Sequence, residues 1–481
     1  MRTYLFTFCL SLLISMGLTP LIIEFARRKK LHDEPNVRSV HTEAIPRLGG
    51  ITIFASTVLV IIPVILLQNI IGAAFRKAAV QIIVILLSSG LMFLIGLIDD
   101  IKGIRIRTKF AGQILAAVLV CLAGIQIHAV SVEGLFTIHF GWFGFFLTVF
   151  WIVGVTNAVN FIDGLDGLAA GISCIACITI AGLSVYDENR ILAVLMLTLS
   201  GSLVGFLFFN FSPAKIFMGD CGSLFLGFII ASSAVLTSAK SHAFVGIALP
   251  ILVLGVPLFD AFLCILRRFL QRRSVASADR GHFHHRLMDL GFSQHHVAII
   301  AYFVTFVMAM LGFLLIAARS TASIVIFMGC LLLLLLVFRI VGSVRIRETL
   351  SAIYARSEFA RIQRIDRRIF EESQLHVQNI NNFNDWWECL CLAAEKFGFS
   401  SMSLSLITRQ NQTEILTWRS KADSRLLETD KMQLTIPIQD RRKGSCSTLS
   451  VEINKNGSLE SATRKFTLFS RLLEEHGLSD L

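Results

Sequence analysis

Charge is scarce in this chain. Asp, Glu, Lys and Arg make up only 16% of its 481 residues against 54% hydrophobic, and the mean hydropathy is +0.71. That scarcity excludes an ordinary soluble fold of this length and places most of the chain in a bilayer. The first apolar run, Tyr4 to Ile23, is full length and carries its charge cluster, Arg27-Arg28-Lys29-Lys30, after it, whereas a cleaved signal peptide carries its charge before the run, so it reads as a retained helix. A disulfide framework is also missing. The ten cysteines are scattered, seven in apolar spans and three in the tail. Cys174 and Cys177 have CxxC spacing, but they sit in a run of Ile, Ala and Leu and read as helix-packing residues.

What is present is a series of long apolar runs. A hydrocarbon core takes about 20 apolar residues per helix. On that measure spans are expected at Tyr4–Ile23, Leu48–Leu67, Val80–Ile98, Phe110–Ile127, Phe140–Val159, Leu168–Val185, Ile191–Phe211, Leu224–Leu236, Val245–Leu266, Val297–Ile316 and Ile324–Val341. The expected fold is an all-α polytopic membrane protein of about eleven helices. Taking the Arg27 loop as cytoplasmic, that side carries seventeen Lys and Arg. The other side carries six: Arg2, Arg76, Lys77, Arg190, Lys240 and Arg319. The bias orients the N-terminus outside and the C-terminus in the cytoplasm of a multi-pass plasma-membrane protein. It also accounts for the net charge of +11 through loops and anionic headgroups, without nucleic acid.

Three regions are expected: a membrane domain over 1–342, a charged helical connector over 343–380, and a small cytoplasmic α+β domain over 381–481. In the last, Phe383–Lys396 and Ser461–Glu475 read as helices. Ser401–Thr408, Thr413–Trp418, Met432–Ile438 and Thr448–Ile453 alternate as strands do. No catalytic motif is found in that tail; regulation or partner docking and simple stabilisation stand as its alternatives.

Charged groups beside a bilayer are costly and mark ends, pairs or function. Four clusters stand out, all on the predicted cytoplasmic side. The third span ends in Asp99-Asp100, followed by Lys102, Arg105, Arg107 and Lys109; adjacent carboxylates are best tolerated around a cation or a proton. The fifth leads into Asn157, Asn160, Asp163, Gly164, Asp166 and Gly167, where helical spacing gathers polar groups on one face and the glycines permit close approach of a ligand. Asn210 to Ser223 includes Lys215, Phe217 and Asp220, with Asp220 at a helix start where a simple N-cap is the bland alternative. Finally, Arg280-Gly281-His282-Phe283-His284-His285-Arg286 suits either a transition metal or phosphate; the lack of nearby thiolates favours phosphate. Two carboxylate pairs plus Asp220 are the oxygen ligands Mg²⁺ prefers, with phosphate oxygens completing the shell, and Lys and Arg would neutralise charge during displacement at phosphorus.

Together Pro46-Arg47-Leu48-Gly49-Gly50, Asp99-Asp100, Asn157 to Gly167, Phe217-Met218-Gly219-Asp220 and His282-Phe283-His284-His285 resemble the polyprenyl-phosphate N-acetylhexosamine-1-phosphate transferases, over about residues 35 to 295. The resemblance implies transfer of a sugar 1-phosphate from a UDP-N-acetylhexosamine to undecaprenyl phosphate, with release of UMP and need of Mg²⁺ or Mn²⁺, as the first membrane step of a cell-surface polysaccharide pathway. It marks Asp99, Asp100, Asp163, His282, His284 and His285 as catalytic and Asp220 with Asp100 as metal ligands. It marks Lys109, Asn157, Asn160, Asp166, Asn210, Phe217 and Arg280 as substrate-binding, with Phe217 placed to stack on uracil. Direct attack by the lipid phosphate is favoured over a covalent route through an Asp. The His-Phe-His-His order is similar to the branch using UDP-N-acetylglucosamine; a phospho-MurNAc-pentapeptide translocase, the runner-up, tends toward three consecutive histidines. A homodimer is left open.

Two other classes fare worse. A transporter would line a midplane path with ionisable groups, and apart from Glu24 the expected spans have almost none. An inactive scaffold is expected to have lost an acidic group, and every motif carboxylate is present.

Overall fold

The computed structural model describes residues 2–29, 32–33, 45–66, 68, 70–77, 79–132, 135–241, 244–270, 282–318, 321–342, 346–378, 380, 382–407, 413–420, 431–439, 446–454 and 459–476. The chain divides into two compact units, Met1–Thr349 and Leu350–Leu481.

The first unit begins with helix α1 (Arg2–Arg28), a short pairing of β1 (His32–Asp33) with β2 (Ile45–Pro46), and α2 (Gly49–Leu66). Helices α3 (Ile70–Lys77), α4 (Ala79–Lys102) and α5 (Ile106–Leu122) follow, then a hairpin of β3 (Ala129–Val132) and β4 (Phe136–His139). Next come α6 (Phe143–Ile162), α7 (Leu168–Tyr186), α8 (Arg190–Asn210) and α9 (Gly219–Ser241). The unit closes with α10 (Phe244–Val253), α11 (Gly255–Leu270), α12 (Phe283–Asp289), α13 (Gln294–Ala317) and α14 (Thr321–Ile340).

Each expected span falls on a helix here, except the ninth, which falls on two. Among the described residues nine helices are long and apolar enough to cross a membrane, or ten if the bent pair α10–α11 counts as one; α5, at 17 residues, falls just short of that length. The ninth span departs from the expected straight run, breaking at Leu254 with a bend of 74°. Pro257 explains the break. Without an N–H it cannot continue the ladder from Val253, and its ring clashes with that carbonyl.

Lipid offers no hydrophobic drive between helices, so small residues and polar pairs hold the bundle. Along α1, Thr7, Ser11, Ser15 and Thr19 are buried at every fourth position. Ser11 and Ser15 meet Gly201 and Gly205 of α8, where an added Cβ would strike the α1 backbone, and Ser11 donates to the Thr198 carbonyl at 2.6 Å. The α9 span is buried throughout and packs against α2, α4, α6, α7 and α10. The helix that carries Asp220 in its first turn is therefore held on several sides.

The second unit comprises α15 (Ile346–Val377) from Leu350 onward, α16 (Phe383–Phe397), strands β5 (Phe399–Ile407), β6 (Thr413–Arg419), β7 (Lys431–Gln439) and β8 (Cys446–Asn454), and α17 (Leu459–Glu475). The strands form one antiparallel sheet in the order β6-β5-β8-β7. Met402, Leu404, Leu449, Val451 and Ile453 alternate into a core with Trp386, Phe397, Phe399 and Phe469, as a half-buried sheet requires. Asn382 caps α16 at its start, and Gly398 ends it with φ of +75°. Phe370 and Val377 of α15 join the same core, and Asp366 pairs with Arg464 of α17 at 2.9 Å.

Candidate active site

Gly96 brings α4 and α9 together: an added Cβ there would run into the backbone of Asp220 and Cys221. Asp100, one helical turn further along α4, then reaches the start of α9. Its Oδ1 accepts the Asp220 N–H and its Oδ2 the Cys221 N–H, both at 2.9 Å, so a carboxylate from another helix satisfies the open N–H groups of α9. Gly219 enters that turn with φ of +74°, and a Cβ there would meet the Arg47 carbonyl and the Asp100 carboxylate. The Pro46–Gly50 motif is stitched on beside it. Phe217 N–H donates to the Pro46 carbonyl (2.7 Å), Gly49 N–H to that of Phe217 (2.9 Å) and Gly50 N–H to that of Met218 (2.8 Å).

The site proper is a carboxylate cluster around one ammonium. Lys109 of α5 bridges Asp99, at 2.8 Å, and Asp220. Asp99 also accepts the Ile104 N–H at 2.6 Å, and Asp220 accepts from Asn160 of α6 at 2.6 Å. Asn160 donates as well to Ser223 at 2.8 Å. Asp163, at the C-terminal end of α6, has no hydrogen bond from its carboxyl among the described residues. Burial first, then the charges of Asp220 and Asp100, push it up to about 8, with Arg47 opposing. Asn157 forms an amide pair with Gln113 of α5, at 2.7 and 3.3 Å.

A second wall carries the polar groups flanking α8 and α9. Asp166 accepts the Ala214 N–H at 3.0 Å, and the buried Asn210 donates to the Ile216 carbonyl at 2.8 Å. Together they brace the loop that presents Phe217, which is half-buried. The histidine segment closes the site. An added Cβ at Gly164 would lie 3.3 Å from His284 Nε2, so this glycine makes room for a protein side chain, and Gly167 does the same for Phe211 and Tyr302. That differs from the expectation that both glycines admit a ligand. His282 is held by Asp260 of α11, Nδ1 to Oδ2 at 2.8 Å.

The sequence profile of glycosyl transferase family 4 matches residues 82–238. Over 338 residues, 70% of this chain and 92% of the relative, the chain is 35% identical to a Bacillus subtilis (strain 168) protein named probable undecaprenyl-phosphate N-acetylglucosaminyl 1-phosphate transferase. The chain belongs to glycosyl transferase family 4. It is also 32% identical over 314 residues to the Mycobacterium leprae decaprenyl-phosphate N-acetylglucosaminephosphotransferase, covering 60% of this chain and 78% of that one. To a Bacillus mycoides phospho-N-acetylmuramoyl-pentapeptide-transferase it is 30% identical over 322 residues, 62% of this chain and 94% of that one.

In this family 4 membrane transferase all four sequence clusters meet at one end of the bundle. Asp99, Lys109, Asn160 and Asp220 form a connected network; Asp163 lies within its field, and His284 abuts the loop after Asp163. Asp100 is engaged through both oxygens with the α9 backbone. Arg280 lies outside the described residues. Among those residues no group of three or more His, Cys, Asp or Glu could hold a metal ion, so the histidine segment gives no support to the transition-metal alternative. Sequence reasoning missed Gln113 and Asp260. The second had a visible signal, a carboxylate inside an expected span, contrary to the reading that Glu24 stands nearly alone.

Proposed function

We propose that this transferase moves an N-acetylhexosamine 1-phosphate, foremost GlcNAc-1-phosphate, from its UDP-sugar to undecaprenyl phosphate at the cytoplasmic face of the plasma membrane. A lipid phosphate oxygen bonds to the sugar-bearing phosphorus, the bond from that phosphorus to the bridging oxygen breaks, and UMP leaves with that oxygen and its electron pair. The carrying observation is the bridging of Asp99 and Asp220 by a single lysine at one end of the bundle, with Asp163 within the field of Asp220. The names of the relatives point to the same reaction. Their division favours N-acetylglucosamine, as does His-Phe-His-His, over the pentapeptide substrate. The product would begin a cell-surface polysaccharide.

The donor set fits Mg²⁺, and Mn²⁺ would accept the same oxygens. Asp163 is a carboxyl without a protein hydrogen bond among the described residues, beside Asp220, and a site of one or two carboxylates completed by phosphate oxygens is what Mg²⁺ takes. Asp220 and Asp163 would hold it, and when bound it supplies charge neutralisation at phosphorus. Asp100 instead positions Asp220 through the α9 backbone. Lys109 would meet phosphate, and Asp99 would both orient that ammonium and offer a base toward the lipid phosphate. Asn210 and Asp166 shape the loop on which Phe217 faces the uridine.

The test is UMP release by purified protein supplied with undecaprenyl phosphate, Mg²⁺ and a panel of UDP-sugars. Release requiring both lipid and metal, strongest with UDP-N-acetylglucosamine, is expected, with Asp220→Ala lowering it by on the order of 10²–10³-fold. Absence of release from every UDP-N-acetylhexosamine by folded, lipid-reconstituted protein would overturn the proposal.

A further inference from the structure

The break between α10 and α11 leaves Asp260 on α11 at 4% exposure, next to the histidine segment. Its Oδ1 accepts the Phe283 N–H at 2.7 Å, and its Oδ2 lies 2.8 Å from His282 Nδ1. Cys264, one turn along α11, places Sγ 3.7 Å from His282 Nε2. Both ring nitrogens of His282 are thus engaged by α11. His284 stacks on the same ring, 5.5 Å between centroids and 9° between planes, and reaches the Gly164 position between Asp163 and Asp166. A continuous column of contacts runs from Asp260 through His282 and His284 to the carboxylate loop.

A buried carboxylate in a span is expensive, and all the hydrogen bonding shown for this one goes to the histidine segment. We propose that Asp260 is a positioning residue: acting through His282, it fixes the histidine segment against the Asp163–Asp166 loop, so that His282 is a clamp and His284 and His285 face the reaction. The inference rests on the transferase reading of the site. The charge states agree with it. Burial disfavours the His282 imidazolium, yet the hydrogen bond and charge of Asp260, aided by Cys264, outweigh that and raise it to about 10. His284, with no carboxylate hydrogen-bonded to it among the described residues, is pushed down to about 3 by burial, against the charge of Asp260 and with His285 and His282 adding to the fall. The clamp is ionic while the ring stacked on it stays neutral.

The experiment is a double-mutant cycle of Asp260→Ala and His282→Ala in lipid nanodiscs, reading kcat and the KM for UDP-N-acetylglucosamine from UMP release. Each single change is expected to lower kcat by about 10²-fold, the scale of a misplaced catalytic group, with KM held within about threefold, the mark of an interaction absent from ground-state binding. Asp260→Ala is expected to cost nothing further in the His282→Ala background, and Asp260→Asn, which keeps an acceptor for the Phe283 N–H, to recover part of kcat. Multiplying effects, or wild-type kcat in Asp260→Ala, would overturn the inference. If Asp260→Ala does not fold, the same cycle is run with Asp260→Asn. Should the wild type release no UMP, the transferase reading falls separately. NMR of ¹⁵N-histidine-labelled protein then decides the clamp: one imidazole proton is expected to be lost equally in Asp260→Asn and His282→Ala, and its persistence in the first would refute the contact.

Discussion

At the residue scale, the histidine segment shows how environment separates like residues. His284 is 3% exposed, its buried Nδ1 without a hydrogen-bond partner among the described residues, and burial depresses it from 6.5 to about 3. The unfolded chain therefore binds a proton near pH 6.5 that the folded chain refuses until about 3. Stability attached to this residue is full above 6.5 and is lost as pH falls toward 3. His284→Gln is expected to flatten the fall in Tm between pH 7 and pH 4 relative to wild type; an unchanged slope would show that His284 is not buried neutral. The motif residues were readable because they are polar beside apolar spans. Gln113 was not, since one amide in an apolar helix gains meaning only when Asn157 is placed opposite it at 2.7 Å. Asp260 was readable in principle, as an acid inside a span, but its partner lies 22 residues away and local spacing cannot pair them.

At the element scale, hydropathy located the spans because helix length in a bilayer is set by its thickness. It did not locate the break in the ninth span, since a run remains apolar whether its ladder is continuous or interrupted at Pro257. Strand alternation in the second unit was legible for the same reason as the spans, one face being buried and the other not. Close approach of helices was less legible, because glycine in a span reads as one more small residue. The structure separates those glycines. Gly96 lets α4 touch the first turn of α9, whereas a Cβ at Gly154 of α6 meets nothing within 4 Å. Gly96→Ala is expected to displace Asp220 from Lys109, costing about 1–3 kcal/mol of stability by overpacking and most of the transferase activity. Gly154→Ala is expected to leave both unchanged or to raise stability slightly, because alanine is the better helix former. Thermal melts and UMP release of the two variants side by side check this, and equal behaviour would mean that the α4–α9 approach does not set the site.

At the scale of the whole molecule, two units each carry a core of their own, one a membrane bundle and one an antiparallel sheet with three helices. The family 4 match at residues 82–238 lies wholly within the first, as do all the carboxylates placed around Lys109. The second unit buries Trp386, Phe397, Phe399 and Phe469 completely or nearly so, enough large side chains to order a module of about 130 residues without the bundle. Residues 350–481 expressed alone are therefore expected to fold cooperatively, with a single thermal transition and protected amides in β5 and β8, the two inner strands of the sheet. A chain ending at Thr349 is expected to keep UMP release within about threefold of full length, because the positioning of Asp220 by Asp100, Asn160 and Lys109 draws on α4, α5, α6 and α9 alone. Loss of activity in the short chain, with its Tm unchanged, would instead assign the soluble unit a part in turnover, and the regulatory alternative for the tail would displace the stabilising one.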